Sequence, residues 1–109
     1  MTALAQMRCE QDLGRLFVLE DEEAEELLKK LWQWKLIDEK LSKEFFFADF
    51  VSGLAFANKV TKIAEQENYL PKFCIEQKKV EVILCTESAG GIVKNDFIIA
   101  AKIEEMMEK

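Results

Sequence analysis

The chain has 109 residues, of which half are hydrophobic and a third are charged. This size and composition are typical of one compact domain with a single core. The 21 acidic residues outnumber the 15 basic residues, and the net charge of -6 disfavours direct binding to the phosphates of nucleic acids. No apolar run reaches the roughly 18 to 20 residues that span a bilayer. We therefore expect a cytoplasmic protein without membrane contact.

The cysteines and the absence of histidine restrict the possible chemistry. Cys9, Cys74 and Cys85 are odd in number and lack a CxxC spacing. No histidine is present to complete a metal site, so we expect neither a metal nor a cofactor. Free, mostly buried thiols are the favoured interpretation, and a functional redox pair is the alternative. Without the usual general base near neutral pH, catalysis would depend on carboxylates, lysines, thiols or Tyr69.

The period of the apolar side chains changes several times along the chain, which predicts alternating helices and hairpins. Acids at the start and lysines near the end support the first helix. The Gly90-Gly91 pair indicates a loop before the last helix, and Pro71 is expected to close off the second helix. In chain order we predict a partly ordered arm at 1–20 and then one domain at 21–109, with a helix at 21–31, a hairpin at 32–47, a helix at 49–67, a hairpin at 73–85 and a helix from 95 onward.

This order predicts an α+β fold, α-β-β-α-β-β-α, in which a four-stranded antiparallel sheet has helices packed on one face. The last helix is apolar nearly all round in its first two turns, which suggests a contact surface in an oligomer. Strand side chains alternate, so either Phe46 or both Phe45 and Phe47 should face another surface, such as a partner. Trp32 and Trp34 share one face of the predicted strand, and we expect both in the core.

Several stretches of the sequence resemble the pterin-4a-carbinolamine dehydratases, and the resemblance covers residues 21–105. They are Phe45-Phe46-Phe47-Ala48-Asp49-Phe50, Ala55 to Val60, Ala64-Glu65, Val80-Glu81-Val82, Thr86, Gly90-Gly91 and Asn95 to Ile103. Cys9 matches a common feature of bacterial members. The resemblance implies dimers formed through sheet edges, often tetramers formed through helices, and a pocket in which histidines assist dehydration of a hydroxylated tetrahydropterin.

The resemblance also implies where the pterin pocket would lie. The family motif has an acid before a His-His-Pro or His-Asn-Pro run, an aromatic residue after it, and another histidine after the threonine of the last strand. This sequence keeps the acid, the proline, the aromatic residue, the threonine and a later aspartate as Glu65, Pro71, Phe73, Thr86 and Asp96. At the histidine positions it has Tyr69, Leu70 and Glu87.

The pocket residues also have simpler interpretations. Glu65 fits a solvent-facing charge late in a helix, and Asp96 fits a first-turn acid that interacts with the helix dipole. Glu87 fits a surface acid in a loop, and Tyr69 fits a rim aromatic suited to a contact. Leu70 cannot transfer a proton. To titrate near neutral pH, the Tyr69 phenol would need a pKa lowered by about three pH units, and the Glu87 carboxyl would need one raised by about as much. We therefore predict no intact catalytic residue.

The sequence thus favours a non-catalytic protein that acts by protein–protein contact, as a homodimer or tetramer. The resemblance offers two precedents. The fold serves as a dimerisation cofactor of a transcription factor, and degenerate members assist the assembly of ribulose bisphosphate carboxylase (Rubisco) in autotrophs, which implies a carboxysome-associated location. The alternative is a 4a-hydroxytetrahydrobiopterin dehydratase or another pterin-binding enzyme with a rebuilt site.

Overall fold

The computed structural model describes residues 3–107 of the chain. Within that range, three α-helices and four β-strands follow one another as α1 (Asp21–Leu28), β1 (Lys35–Ile37), β2 (Lys40–Phe46), α2 (Phe50–Gln66), β3 (Lys72–Ile75), β4 (Lys79–Leu84) and α3 (Lys94–Met107). Neighbouring strands are antiparallel, in the order β1-β2-β4-β3. The predicted α+β fold and its order of elements are confirmed. No helix in residues 3–107 is long and apolar enough to cross a membrane.

One face of the sheet carries the core. Val80, Val82 and Leu84 of β4 are fully buried beneath α2 and α3. The residues that alternate with them, Glu81 and Ile83, are only partly buried because they lie on the opposite face. Helices therefore cover one face of the sheet and leave the other face open.

The aromatic run Phe45–Phe47, at the end of β2, divides between the two faces of the sheet, as strand alternation requires. Phe45 is buried, and Phe46 is 72% exposed. Phe47 is half-buried against Phe56, with 5.1 Å between the ring centroids. Phe46 is therefore the exposed member of the run, and a partner for it stays a prediction.

The two tryptophans do not share a strand face, and the prediction that both lie in the core is wrong for Trp32. Strand β1 begins only at Lys35, and Gln33 has a positive φ of 62°, which turns the chain between the two indoles. Trp34 is buried, whereas Trp32 is 67% exposed. The Lys43 ammonium lies 4.8 Å from the centroid of the Trp32 ring, a cation–π contact.

Helix α2 ends at Gln66, one residue from the predicted end at 67 and before Pro71, and the chain turns at Asn68. Asn68 has a left-handed backbone, with φ of 54°. Its N–H donates to the Glu65 carbonyl at 3.1 Å, and the Tyr69 N–H donates to the Ala64 carbonyl at 2.9 Å. This pair of bonds is the Schellman motif, and it turns the chain back toward the core at Tyr69.

The loop before α3 requires both of its glycines. Gly90 has φ of 85°, a conformation that residues with a Cβ rarely adopt. A Cβ on Gly91 would lie 2.7 Å from Cγ1 of Val18, so glycine allows the N-terminal segment to pass close to the loop. The Leu19 N–H then donates to the Ile92 carbonyl at 2.9 Å.

The apolar surface of α3 is covered within the chain itself. Residues 95–101 are all buried, and a short helical turn at Ala3–Gln6 lies against the helix. Leu4, Ala5 and Cys9 of the segment expected as a partly ordered arm are buried and belong to the core. The apolar surface of α3 therefore gives no support for a second subunit, because the Ala3–Gln6 turn lies against it, and the oligomeric state stays a prediction.

Candidate functional site

A buried hydrogen-bond network joins the end of α2, the segment after β4 and the start of α3. Asp96 is fully buried at its centre. Its Oδ1 accepts from the Tyr69 hydroxyl at 2.6 Å and from the Thr86 hydroxyl at 2.8 Å, and its Oδ2 accepts from the Val93 N–H at 2.9 Å. Three donors thus satisfy one buried carboxylate. The bond to Val93 also fits the predicted role of a first-turn acid at the start of α3.

This environment changes the acidity of both partners. Burial raises the pKa of the Asp96 carboxyl, and the bonds from Tyr69, Val93 and Thr86 offset part of that change. Burial also raises the pKa of the Tyr69 phenol far above its usual value, and the nearby Asp96 carboxylate raises it further. The phenol therefore stays protonated at neutral pH with its proton committed to Asp96, a state unsuited to a general base.

Tyr69 is 8% exposed, so the prediction that it is a rim aromatic is wrong. The Schellman turn at the end of α2 directs its ring inward. The next residue, Leu70, is 88% exposed, while Pro71 and Phe73 are half-buried. Two adjacent family positions therefore have opposite environments, one in the core and one on the surface.

The buried acid at the end of α2 is Glu67, which the sequence analysis missed. Glu65 is exposed, as expected for an acid late in a helix, whereas Glu67 is 5% exposed. Glu67 Oε1 accepts from the Cys9 N–H at 2.6 Å, and its Oε2 accepts from Arg8 Nε at 2.7 Å. The asparagine at 68, a residue type favoured in left-handed caps, was the available signal that the chain turns inward here.

Glu87 lies on the surface in a short helical turn, Glu87–Ala89. Its carboxylate forms an ion pair with Lys72 Nζ, and that hydrogen bond lowers the pKa of the Glu87 carboxyl. A general acid near neutral pH would need the opposite change, a raised pKa. Glu87 is therefore a charged surface acid, as the simpler interpretation has it.

The three residues at the histidine positions border one cavity of about 490 Å³. Its described walls are Glu10, Gln11, Leu16, Glu67, Asn68, Tyr69, Leu70, Lys72, Cys85, Thr86, Glu87, Ser88 and Asn95. The structure thus brings Tyr69, Leu70 and Glu87 together. Glu65, Pro71, Phe73 and Asp96 are not among those walls, and Asp96 acts on the site through Tyr69 and Thr86.

The cysteines have three different environments. Cys9 is buried, Cys85 is half-buried and Cys74 is exposed, and all three are free. Burial first, and then the charge of Glu67, raise the pKa of the Cys9 thiol to about 12. Within residues 3–107, no group of three or more Cys, Asp or Glu side chains is placed to hold a metal ion.

Comparison with known proteins shows the family. A sequence model described as "Pterin 4 alpha carbinolamine dehydratase" matches residues 18–106. The chain is 36% identical over 105 residues to a protein of Nitrosomonas eutropha and 37% identical over 110 residues to one of Marinobacter nauticus. Each is named "Putative pterin-4-alpha-carbinolamine dehydratase". These matches cover 95% and 97% of this chain, and 93% and 99% of the two relatives.

A solved structure is also similar. The crystal structure of a transcriptional coactivator/pterin dehydratase from Brucella melitensis matches with a TM-score of 0.76 and 27% sequence identity. The match covers 82% of this chain and 97% of that chain. The chain belongs to the pterin-4-alpha-carbinolamine dehydratase family, as the resemblance in its sequence indicated.

Proposed function

We propose that this chain is a non-catalytic member of its family that acts by binding another protein. The observation that carries the proposal is the state of the side chains at the histidine positions. Tyr69 is buried and keeps its proton, Leu70 has no proton to transfer, and Glu87 is held as a carboxylate by Lys72. Dehydration of a carbinolamine needs one group that protonates the leaving hydroxyl and another that takes the amine proton, both with pKa values near neutral.

The rim of the cavity supports a protein contact. Leu70 is almost fully exposed beside the Lys72–Glu87 ion pair, and the half-buried Leu16 borders the same cavity. An apolar centre with a charged rim is the usual anatomy of a protein interface. Covering Leu70 with a partner would remove an exposed aliphatic side chain from water, which is favourable.

Rubisco is the first partner that we propose to test, in the cytoplasm or in association with carboxysomes. This choice follows from the family resemblance. The Brucella relative, described as a transcriptional coactivator/pterin dehydratase, supports a protein-binding role for this fold. We also propose self-association into a dimer or tetramer, for which the outer edges of β1 and β3 and the exposed Phe46 are available.

Replacement of Leu70 tests the proposed contact. Leu70→Ala is expected to weaken binding of purified Rubisco by about 2 kcal/mol, or roughly 30-fold in Kd, because it removes an apolar contact at the centre of the interface. The melting temperature should not change, since the side chain is already in water. Binding is measured on immobilised protein by interferometry.

The matched control is Val51→Ala, which truncates another exposed apolar side chain, on α2 and outside the described walls of the cavity. It is expected to leave Rubisco binding unchanged. Loss of binding in the Val51 variant together with full binding by the Leu70 variant would contradict the proposed position of the interface.

The second candidate function is pterin binding, with or without dehydration. The cavity of about 490 Å³ at the family positions and the names of the relatives favour it. Isothermal titration calorimetry with a tetrahydropterin tests it. Saturable binding by the wild-type protein that is lost in Ser88→Trp, where the indole fills the cavity, would support this function. If the wild-type protein gives no heat of binding in this titration, the pterin-binding function is excluded.

A further inference from the structure

Residues 4–11, here called the strap, lie along α3 and across the end of α2. Leu4, Ala5 and Cys9 are buried in this position. The strap is attached largely through side chains of α3 and of the residues that follow α2, which bond to its backbone and side chains. Lys102 Nζ, for example, donates to the Ala5 carbonyl at 2.9 Å.

Glu67 lies at the centre of this attachment. Its two carboxylate oxygens accept from the Cys9 N–H and from Arg8 Nε, and its backbone carbonyl accepts from Gln11 Nε2 at 3.0 Å. Hydrogen bonds that involve an ionised partner are roughly twice as strong as neutral ones. One buried carboxylate thus provides two charge-assisted bonds to consecutive residues of the strap.

Asn95 provides the second anchor. Its Oδ1 accepts from the Glu10 N–H at 2.9 Å, and its Nδ2 donates to the Glu10 carbonyl at 3.0 Å. Asn68 Nδ2 donates to Gln11 Oε1 at 2.9 Å. These bonds are neutral, whereas Glu67 supplies charge-assisted bonds at Arg8 and Cys9. Lys102 and Glu105 of α3 supply further ones nearer the start of the strap, at Ala5 and Gln6.

The strap also forms walls of two cavities. Glu10 and Gln11 border the cavity that contains Tyr69 and Leu70. On its other side, the strap and residues 15–19 enclose a second cavity of about 690 Å³, which reaches Ile98 of α3. Movement of the strap would open the first cavity along one side and uncover apolar surface of α3.

We propose that the strap is a detachable cover that the Glu67 carboxylate holds in place, and that its release opens the cavity beside Tyr69. Release of the strap is a movement within the chain itself and needs no bound partner. Glu67 is then a positioning residue, because the charge of its buried side chain sets the fraction of molecules in which the strap is detached.

The acidity of Glu67 supports this role. Burial alone would raise the pKa of the Glu67 carboxyl, but the bonds from Cys9 and Arg8, with the charges of Arg8 and Lys102, outweigh burial and lower it. These are the charged and titratable groups that face Glu67 from the strap and from α3. At pH values above the usual pKa of a glutamate, the Glu67 carboxylate is ionised and holds the strap closed. As the pH falls through the lowered pKa of the closed form, the carboxylate becomes protonated and the strap is released.

Hydrogen exchange read by mass spectrometry tests the proposal at neutral pH. In Glu67→Gln, which removes the charge and keeps the volume, peptides covering residues 4–11 are expected to exchange at least tenfold faster than in wild type. Peptides covering β4 should keep their protection. Glu65→Gln, an exposed acid two residues away, is the matched control and should match wild type throughout.

Two further variants and a thiol measurement complete the test. Arg8→Gln removes one of the two charge-assisted bonds without changing a helix, so it should give an intermediate exchange rate, and it replaces Glu67→Gln if that variant does not fold. Alkylation of Cys9, with the exposed Cys74 as the internal reference, should accelerate in the same order. Unchanged exchange of the strap in both variants, or acceleration only together with β4, would overturn the proposal.

Discussion

Replacing Tyr69 with alanine is expected to lower the free energy of unfolding by about 4 kcal/mol, within the range measured for truncation of buried aromatic side chains. The ring is nearly fully buried in the core cluster, and its hydroxyl donates to the buried Asp96 carboxylate. Truncation would leave both a void and an acceptor without its donor. Urea denaturation followed by circular dichroism measures the change.

Tyr69→Phe is the matched control because it keeps the ring and removes only the hydroxyl. We expect a loss of about 1.5 to 3 kcal/mol, the range for a hydrogen bond to a charged group. The difference between the two variants then gives the contribution of the ring. A loss below about 1 kcal/mol in the alanine variant would show that Tyr69 lies at the surface after all.

Replacing Asp96 with alanine is expected to cost about 3 kcal/mol, because the buried Tyr69 hydroxyl, the half-buried Thr86 hydroxyl and the Val93 N–H would lose their common acceptor. The start of α3 would also lose the acid that interacts with its dipole. The same urea experiment measures the loss. Asp96→Asn, which keeps the volume and one acceptor oxygen, should cost less than the alanine variant.

The pH dependence of the Asp96→Asn variant follows from the raised pKa of Asp96. Because burial raises this pKa in the folded state, the folded protein binds the proton more tightly than the unfolded chain. The stability from this group is complete below the unfolded pKa and declines as the pH rises through the folded value. Asparagine does not titrate. The difference in unfolding free energy between wild type and Asp96→Asn should therefore narrow as the pH rises from the unfolded pKa of the aspartate through its folded pKa. An advantage that grows with pH would contradict the raised pKa.

The order of helices and strands could be predicted from the sequence because each element has its own apolar period. Alternation in β4 and helical spacing in α2 are local patterns, and both elements lie where those patterns place them. The position of Trp32 could not be predicted in the same way. It depends on the positive φ of Gln33, which interrupts an alternation that continues in the sequence.

The candidate site was only partly predictable, because its contacts join distant parts of the chain. The burial of Tyr69 depends on the left-handed turn at Asn68 and on Asp96, which is 27 residues further on. The role of Glu67 depends on Arg8 and Cys9, which lie 59 and 58 residues earlier. Residue types at the family positions favour a non-catalytic protein, which stays a prediction, whereas these pairings emerge only from the three-dimensional structure.

The most direct test of the account is an assay of dehydration of a 4a-hydroxytetrahydropterin by the purified wild-type chain at neutral pH, beside a histidine-containing dehydratase of established activity. We expect a rate equal to spontaneous dehydration at every protein concentration, because Tyr69 keeps its proton, Leu70 carries none and Glu87 is paired with Lys72. A rate that rises in proportion to the concentration of this protein, and falls in Glu87→Gln, would contradict it.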